Sequence, residues 1–414
     1  MTGARQVGKT YLVRAFGAER YESFVELNLI LDAQAAAAFD GPSSPKDILM
    51  RLSLLADAPL VPGKTLVFID EVQERPEVVT AIKGLVDEGS YDYVLSGSLL
   101  GLELKDLRSA PVGYLSELMM HPLDFEEFCW ASNVSEEVLG TVADGFARLQ
   151  PIDDFVHQHL LRLFRRYLVV GGMPDAVAAF KASNDLASVR TIQENIRALY
   201  RTDISKYCPD DAKLKAKQAY DLVPSELSNP NKRFVLKRLN EDARFRTYED
   251  AFLWLTYANV ALAAYSVDEP CAPLLLAKER RLFKLFYSDV GLLTGAYLRS
   301  TSLAVLDGDD DLNYGSTFEN AVAQELTAHG FDLYYFNSKK LGEVDFVVSD
   351  KNDRVLPLEV KSGKGYSRHR ALSKVLDVPN YHLDRGYVLG PCNVSVEGKV
   401  AYLPIYMVSQ FKND

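Results

Sequence analysis

Little in this chain is extreme, and each thing it lacks excludes a class of protein. Cysteine is scarce: Cys129, Cys208, Cys271 and Cys392 are the 4 in 414 residues. They lie far apart, with no CxxC pair and no histidine at ligand spacing. A disulfide framework and a zinc ribbon are therefore excluded, and reduced thiols are expected. No apolar run reaches the ~20 residues that a membrane-spanning helix needs. The best stretch, 251–264, is interrupted by Asn259. No apolar segment accompanies the early Arg5 and Lys9, as a cleavable signal would require. The expectation is a cytoplasmic protein with no membrane partner. Positive charge is not in excess either: Lys and Arg number 46 against 57 Asp and Glu, a net charge of −11. Any contact with nucleic acid must then come from a local basic patch.

A chain of 414 residues exceeds one hydrophobic core, because cores stop growing at roughly 250–300 residues. Its periodicity suggests where it divides. Residues 9–16, 45–56 and 76–88 read as helices; 24–29, 65–69 and 91–96 read as strands. That alternation predicts parallel strands with crossover helices, and the wholly apolar run 65–69 predicts a sheet covered on both faces. Residues 124–207 are almost entirely helical in period. Between 210 and 294, short helices precede strands at 260–267 and 282–288, which suggests a winged helix. The acidic stretch 306–316 reads as a linker. Beyond it come a helix at 317–329, strands at 332–337, 343–348 and 355–360, a helix near 366–376 and a strand at 385–389. The expected fold is α/β throughout: a P-loop domain over 1–145, a helical connector over 146–207, a winged-helix-like part over 208–305 and an α/β domain over 306–414.

Two constellations carry chemistry. The first is Gly3-Ala4-Arg5-Gln6-Val7-Gly8-Lys9-Thr10, which fits GxxxxGK[ST] at every fixed position. Glycines there let the backbone N–H groups curl around phosphates at a helix N-terminus. Lys9 is suited to the β/γ-phosphates, and the Thr10 hydroxyl to Mg²⁺. The apolar strand Leu66-Val67-Phe68-Ile69 then delivers Asp70, a second ligand for Mg²⁺, and Glu71, which would orient the attacking water. Arg5, Gln6 and Val7 complete the phosphate loop. A further strand ends in Ser96-Gly97-Ser98, where Ser98, with Ser96 second, is the candidate sensor of the γ-phosphate. Only Met1 and Thr2 precede Gly3. The expectation is therefore that the strand which aims a P-loop is missing, that the strand at 65–69 lacks a parallel neighbour, and that upstream extension would raise stability or ATP affinity.

The second constellation lies near the C-terminus. Asp345 sits on one predicted strand; Glu359 and Lys361 sit two apart on the next, hence on one face. Two carboxylates suit a hard divalent ion, which would activate water and neutralise a phosphodiester transition state. Asp345 and Glu359 are the candidate ligands, Lys361 the charge-stabilising group, and Glu319 a fourth member from the preceding helix. Downstream, Lys361, Lys364, Arg368, His369, Arg370 and Lys374 form a basic cluster that suits either a phosphate backbone or plain solvation.

With these motifs in hand, the chain resembles the bacterial and archaeal AAA-type ATPases whose C-terminal half is a domain of unknown function ending in a PD-(D/E)xK nuclease-like module. The matching stretches include the P-loop, the strand with Asp70 and Glu71, and Pro111-Val112-Gly113. They continue in Pro122-Leu123-Asp124-Phe125-Glu126-Glu127-Phe128, Gly171-Gly172-Met173-Pro174, Thr317-Phe318-Glu319-Asn320 and the strands bearing Asp345 and Glu359. The resemblance implies ATP as ligand, Mg²⁺ as cofactor, and a restriction-endonuclease-like C-terminal fold, with DNA and a second copy of the chain as open partners. Tyr114 stands where the family often has Arg or Lys, so an arginine finger would fall to Arg108. Two functions compete. In one, nucleotide state controls a nucleic-acid-directed nuclease; in the other, a nucleotide-switched adaptor carries an inactive nuclease fold. Convergence of Glu319, Asp345, Glu359 and Lys361 around an open, metal-sharing cleft favours the first, and a plugged cleft favours the second.

Overall fold

A computed structural model describes residues 1–41, 44–97, 113–229, 232–238, 245–308 and 315–413. The chain forms two compact units, Met1–His121 with Tyr257–Asn259, and Pro122–Thr256 with Val260–Asp414.

The first unit is built on three strands, β1 (Ser23–Asn28), β2 (Thr65–Asp70) and β3 (Asp92–Leu95), in the order β1-β2-β3, all parallel. All of β2 is buried, as its uninterrupted apolar sequence requires for a central strand covered on both faces. The helix Pro45–Leu55 starts where the sequence signals it. Ser44 and Asp47 form a capping box, Pro45 follows at the first helical position, and Ile48 and Leu52 turn inward four residues apart. They pack with Val78, Ile82 and Leu85 of the helix Glu77–Glu88 against Val67 and Ile69.

One expectation is corrected here. β2 does not lack a parallel neighbour; it has one on each side. The chain before Gly3 instead runs beside β3. The Met1 ammonium donates to Leu95 O at 2.6 Å, and Thr2 bridges Met119 in parallel.

The second unit joins a set of helices to an eight-stranded mixed sheet. Its strands are β4 (Ala261–Val267), β5 (Lys278–Tyr287), β6 (Tyr334–Ser338), β7 (Gly342–Ser349), β8 (Val355–Val360), β9 (Gly386–Gly390), β10 (Ser395–Glu397) and β11 (Val400–Pro404). The order is β10-β11-β9-β8-β7-β6-β4-β5. The hairpin expected as the wing of a winged helix is thus an edge of this sheet, with β4 parallel to β6. A period-2 pattern marks a strand but does not say which sheet receives it. Residues 122–145, expected in the first domain, also belong to the second unit. From Ser316 to Leu326, every residue of the helix Gly315–Ala328 is buried. Two of its polar members are matched to backbone: Asn320 exchanges two hydrogen bonds with Tyr287, and Gln324 Oε1 accepts from Val290 N at 2.8 Å.

The motif Gly171-Gly172-Met173-Pro174 finds its reason in this unit. A Cβ on Gly172 would lie 1.9 Å from Leu123 O, closer than any side chain can sit. The Gly172 N–H donates to Asp289 Oδ2 at 2.6 Å, and Leu292 N donates to Oδ1 at 2.9 Å. Burial outweighs these donors and pushes the Asp289 carboxyl from 3.8 up to about 6. A carboxyl raised on folding stabilises the fold fully below its unfolded value, and that contribution fades as pH rises through the folded one. At 1.36 kcal/mol per unit, its share falls by ~3 kcal/mol between pH ~4 and ~7. Urea unfolding of the parent and Asp289→Asn across that range should give a difference that shrinks as pH rises. A pH-independent difference would mean the carboxylate is ionised throughout.

Candidate functional site

The P-loop is shaped by backbone that only glycine tolerates. Gly3 has φ 126° and Gly8 φ 95°, and a Cβ on Gly3 would meet Met120 O at 2.2 Å. Gly8 caps the helix Lys9–Arg20 without any side-chain hydrogen bond, and the first turn carries no acidic residue. The positive end of that helix is therefore left for an outside anion. Lys9, almost fully buried, donates to Gly3 O at 2.9 Å and Ala4 O at 2.7 Å. Its ammonium lies over the loop's own carbonyls, beside where phosphates would enter. Gln6, at φ 67°, takes the left-handed conformation within the same loop.

β2 carries Asp70 to this loop, and its carboxylate is the hub of a small network. Thr10 Oγ1 donates to Oδ2 at 3.0 Å, Ser96 Oγ donates to Oδ1, and Asn28 Nδ2 stands 3.5 Å from Oδ2. A hydroxyl and a carboxylate oxygen in contact are both hard donors, the chemistry that an Mg²⁺ shell asks of a protein. Glu71 follows at φ 58°, an uncommon backbone state for a non-glycine residue. Its carboxylate accepts from Gln73 Nε2. Ser96, the second choice as sensor, is the serine found on Asp70; Ser98, the first choice, lies outside the described residues, as does Arg108. Asn28 and Gln73 escaped the sequence reading, since neither belongs to a motif. Asn28 is reachable only through the register that pairs it with Asp70.

In the C-terminal constellation, Phe346 faces Leu358 across the antiparallel pair β7–β8. One step further, that register sets Asp345 opposite Glu359 on one face. Asp345 Oδ2 accepts from Val360 N at 2.8 Å, and Lys361 Nζ donates to Glu359 Oε1 at 2.6 Å. Burial, then the charge of Asp345, raises the carboxyls of both Glu319 and Glu359 above their ordinary range. The four side chains thus belong to one electrostatic neighbourhood. Among the described residues, however, Glu319, Asp345 and Glu359 do not bring a ligand atom each within 4.8 Å of one another, the spacing a shared ion asks for.

Lysines stand there instead. Lys284 on β5 is wholly buried and bridges Glu319 at 3.5 Å and Glu343 at 2.9 Å. Lys232 donates to the other oxygen of Glu319, and Arg233 pairs with Glu343 at 2.9 Å. Burial would lower the Lys284 pKa, but Glu319, Asp345 and Glu343 raise it beyond its ordinary value. These cations were missed in the sequence, although one signal was present. Leu282-Phe283-Lys284-Leu285-Phe286 places a lone lysine inside an apolar strand, where an unpaired charge would be costly.

Comparison with known proteins matches three stretches of the chain to family models. Residues 1–129 match the family described as AAA domain. Residues 161–303 and 314–408 match two domains of unknown function, DUF8612 and DUF4143. The N-terminal part thus matches an AAA domain, and most of the rest of the chain matches domains of unknown function. No curated protein matches the chain. Among solved structures it is similar to the Walker-type ATPase PABY2304 of Pyrococcus abyssi, with a TM-score of 0.43 and 14% identity, covering 72% of this chain and 90% of that one. No helix among the described residues is long and apolar enough to cross a membrane.

Proposed function

We propose that this protein binds and hydrolyses ATP at the P-loop, and that its C-terminal nuclease-like sheet works as a non-cleaving binding module governed by nucleotide state. The observation that carries the first part is the contact of Thr10 with Asp70 beside a helix N-terminus that bears Lys9 and has no side-chain cap. Mg²⁺, when bound, would offset the charge of the reacting phosphates. The loop N–H groups and Lys9 hold the triphosphate, Thr10 and Asp70 hold the ion, and Ser96 fixes the Asp70 carboxylate. Glu71 orients the attacking water, with Gln73 setting its rotamer. Glu71→Gln should therefore leave ATP affinity within about twofold but lower turnover by ~100-fold, the usual yield of a lost general base. Equal turnover in steady-state phosphate release would remove Glu71 from the reaction.

The second part rests on the lysines at Glu319. An ammonium on each carboxylate oxygen satisfies the group that a catalytic ion would need. No cleavage of single- or double-stranded DNA or RNA is expected with Mg²⁺ or Mn²⁺, with or without ATP. Metal-dependent cleavage that vanishes in Asp345→Ala would restore the nuclease reading.

A further inference from the structure

The stretch Pro122–Phe128, which had no chemical meaning in the sequence, ends up in a second cluster of ligating groups inside the second unit. Asp124 precedes the helix Phe125–Ala131; Glu325 lies in the last turn of the helix Gly315–Ala328, and His329 follows just past its end, four residues on. Each offers a ligand atom, and the three atoms lie within 4.8 Å of one another. Among the described residues, this is the group with that geometry.

Its hydrogen bonding is incomplete in an informative way. Glu325 is fully buried; Oε1 accepts from Phe125 N at 2.8 Å and from the Tyr167 hydroxyl at 2.9 Å, while Oε2 has no partner. His329, also buried, leaves Nδ1 without one. Its Nε2 lies 3.0 Å from Asp124 Oδ2. A buried carboxylate oxygen without a donor is costly unless something else satisfies it. A cation already reaches toward the group: Lys412 Nζ, on a partly exposed side chain, is 3.2 Å from His329 Nε2 and 3.4 Å from Glu126 Oε2.

We infer that Asp124, Glu325 and His329 form a binding site for one divalent transition-metal ion, Zn²⁺ by its donor set, with Lys412 as the cation that yields its place. One imidazole and two carboxylates match a borderline ion better than Mg²⁺ or Ca²⁺, which take oxygen ligands. Tyr167 and the Phe125 N–H supply the outer hydrogen bonds that orient Glu325. The bound ion would tie the helix Phe125–Ala131 to the helix Gly315–Ala328. This inference is independent of the P-loop and of the lysine-covered carboxylates.

The test is calorimetric titration of the full, chelator-treated chain with ZnCl₂ in excess Mg²⁺, with one equivalent expected to bind. His329→Gln should weaken that binding by at least ~10-fold, since even outer partners of a metal ligand are worth 10–100-fold. Lys412→Ala, a change at a partly exposed side chain, should tighten it several-fold by removing the competing ammonium. Zinc uptake that is absent from the parent, or equal in parent and His329→Gln, overturns the site. Should His329→Gln fail to fold, unchanged affinity in Lys412→Ala overturns it alone.

Discussion

Lys9→Ala should reduce ATP affinity by ~100-fold or more, below detection in calorimetry at micromolar protein. Hydrogen bonds to charged groups contribute about 1.5–3 kcal/mol each, and every 1.4 kcal/mol is tenfold in affinity. The Lys9 ammonium would make at least two such bonds to phosphate oxygens. It also orders the loop itself, through Gly3 O at 2.9 Å and Ala4 O at 2.7 Å, so the variant loses both the charge and the ordering it imposes. Lys9→Met separates the two losses, since it keeps the aliphatic stem and removes only the ammonium. Thermal melting without nucleotide provides the control for folding. If either variant bound ATP as tightly as the parent, the phosphate-site assignment would be wrong, whatever its motif.

The second large effect concerns stability. Glu319→Ala should cost ~3–5 kcal/mol in urea unfolding, because removing one partner of a buried ion pair leaves the other charge uncompensated. Lys284 is wholly buried, and after the change Glu343, at 2.9 Å, is its remaining ion pair among the described residues, with the charge of Asp345 nearby. The rival expectation has the opposite sign. A carboxylate kept ready for a metal and crowded by Asp345 would relieve repulsion when removed, and the metal-free protein would gain stability. Chelator-treated samples therefore discriminate the two readings by the sign of the change. Millimolar Mg²⁺ added to the parent should leave the unfolding midpoint contributed by this site unmoved.

Much of the first site was legible because its parts are local in the chain. Eight consecutive residues make the loop, and six more make the strand that ends in Asp70. Glycine at positions 3 and 8 is dictated by φ values that few other residues adopt. What could not be read was the company Asp70 keeps. Ser96 and Asn28 come from neighbouring strands, and only the register β1-β2-β3 selects them from other small polar residues.

The second site divides the same way. The period-2 spacing of Glu359 and Lys361 and the hairpin turn led to the expectation of Asp345 beside Glu359, at the end of the ladder that pairs Phe346 with Leu358. They did not reveal that β5, from a segment read as a wing, delivers Lys284 to Glu319, 35 positions away in sequence. Nor did they reveal Lys232, 87 positions away.

By itself, then, the sequence determined the phosphate loop, the two acidic strand ends and the order of most helices and strands. Each of these follows from neighbours within about a dozen residues, through backbone conformation and side-chain period. Tertiary structure alone decided which carboxylates carry a free charge. Glu319 is neutralised by lysines, Asp70 is held by hydroxyls, and Glu325 is buried with one oxygen unpaired. The reason is physical: burial and the distance to an opposite charge set the state of an ionisable group, and both depend on contacts that span tens to hundreds of residues along the chain.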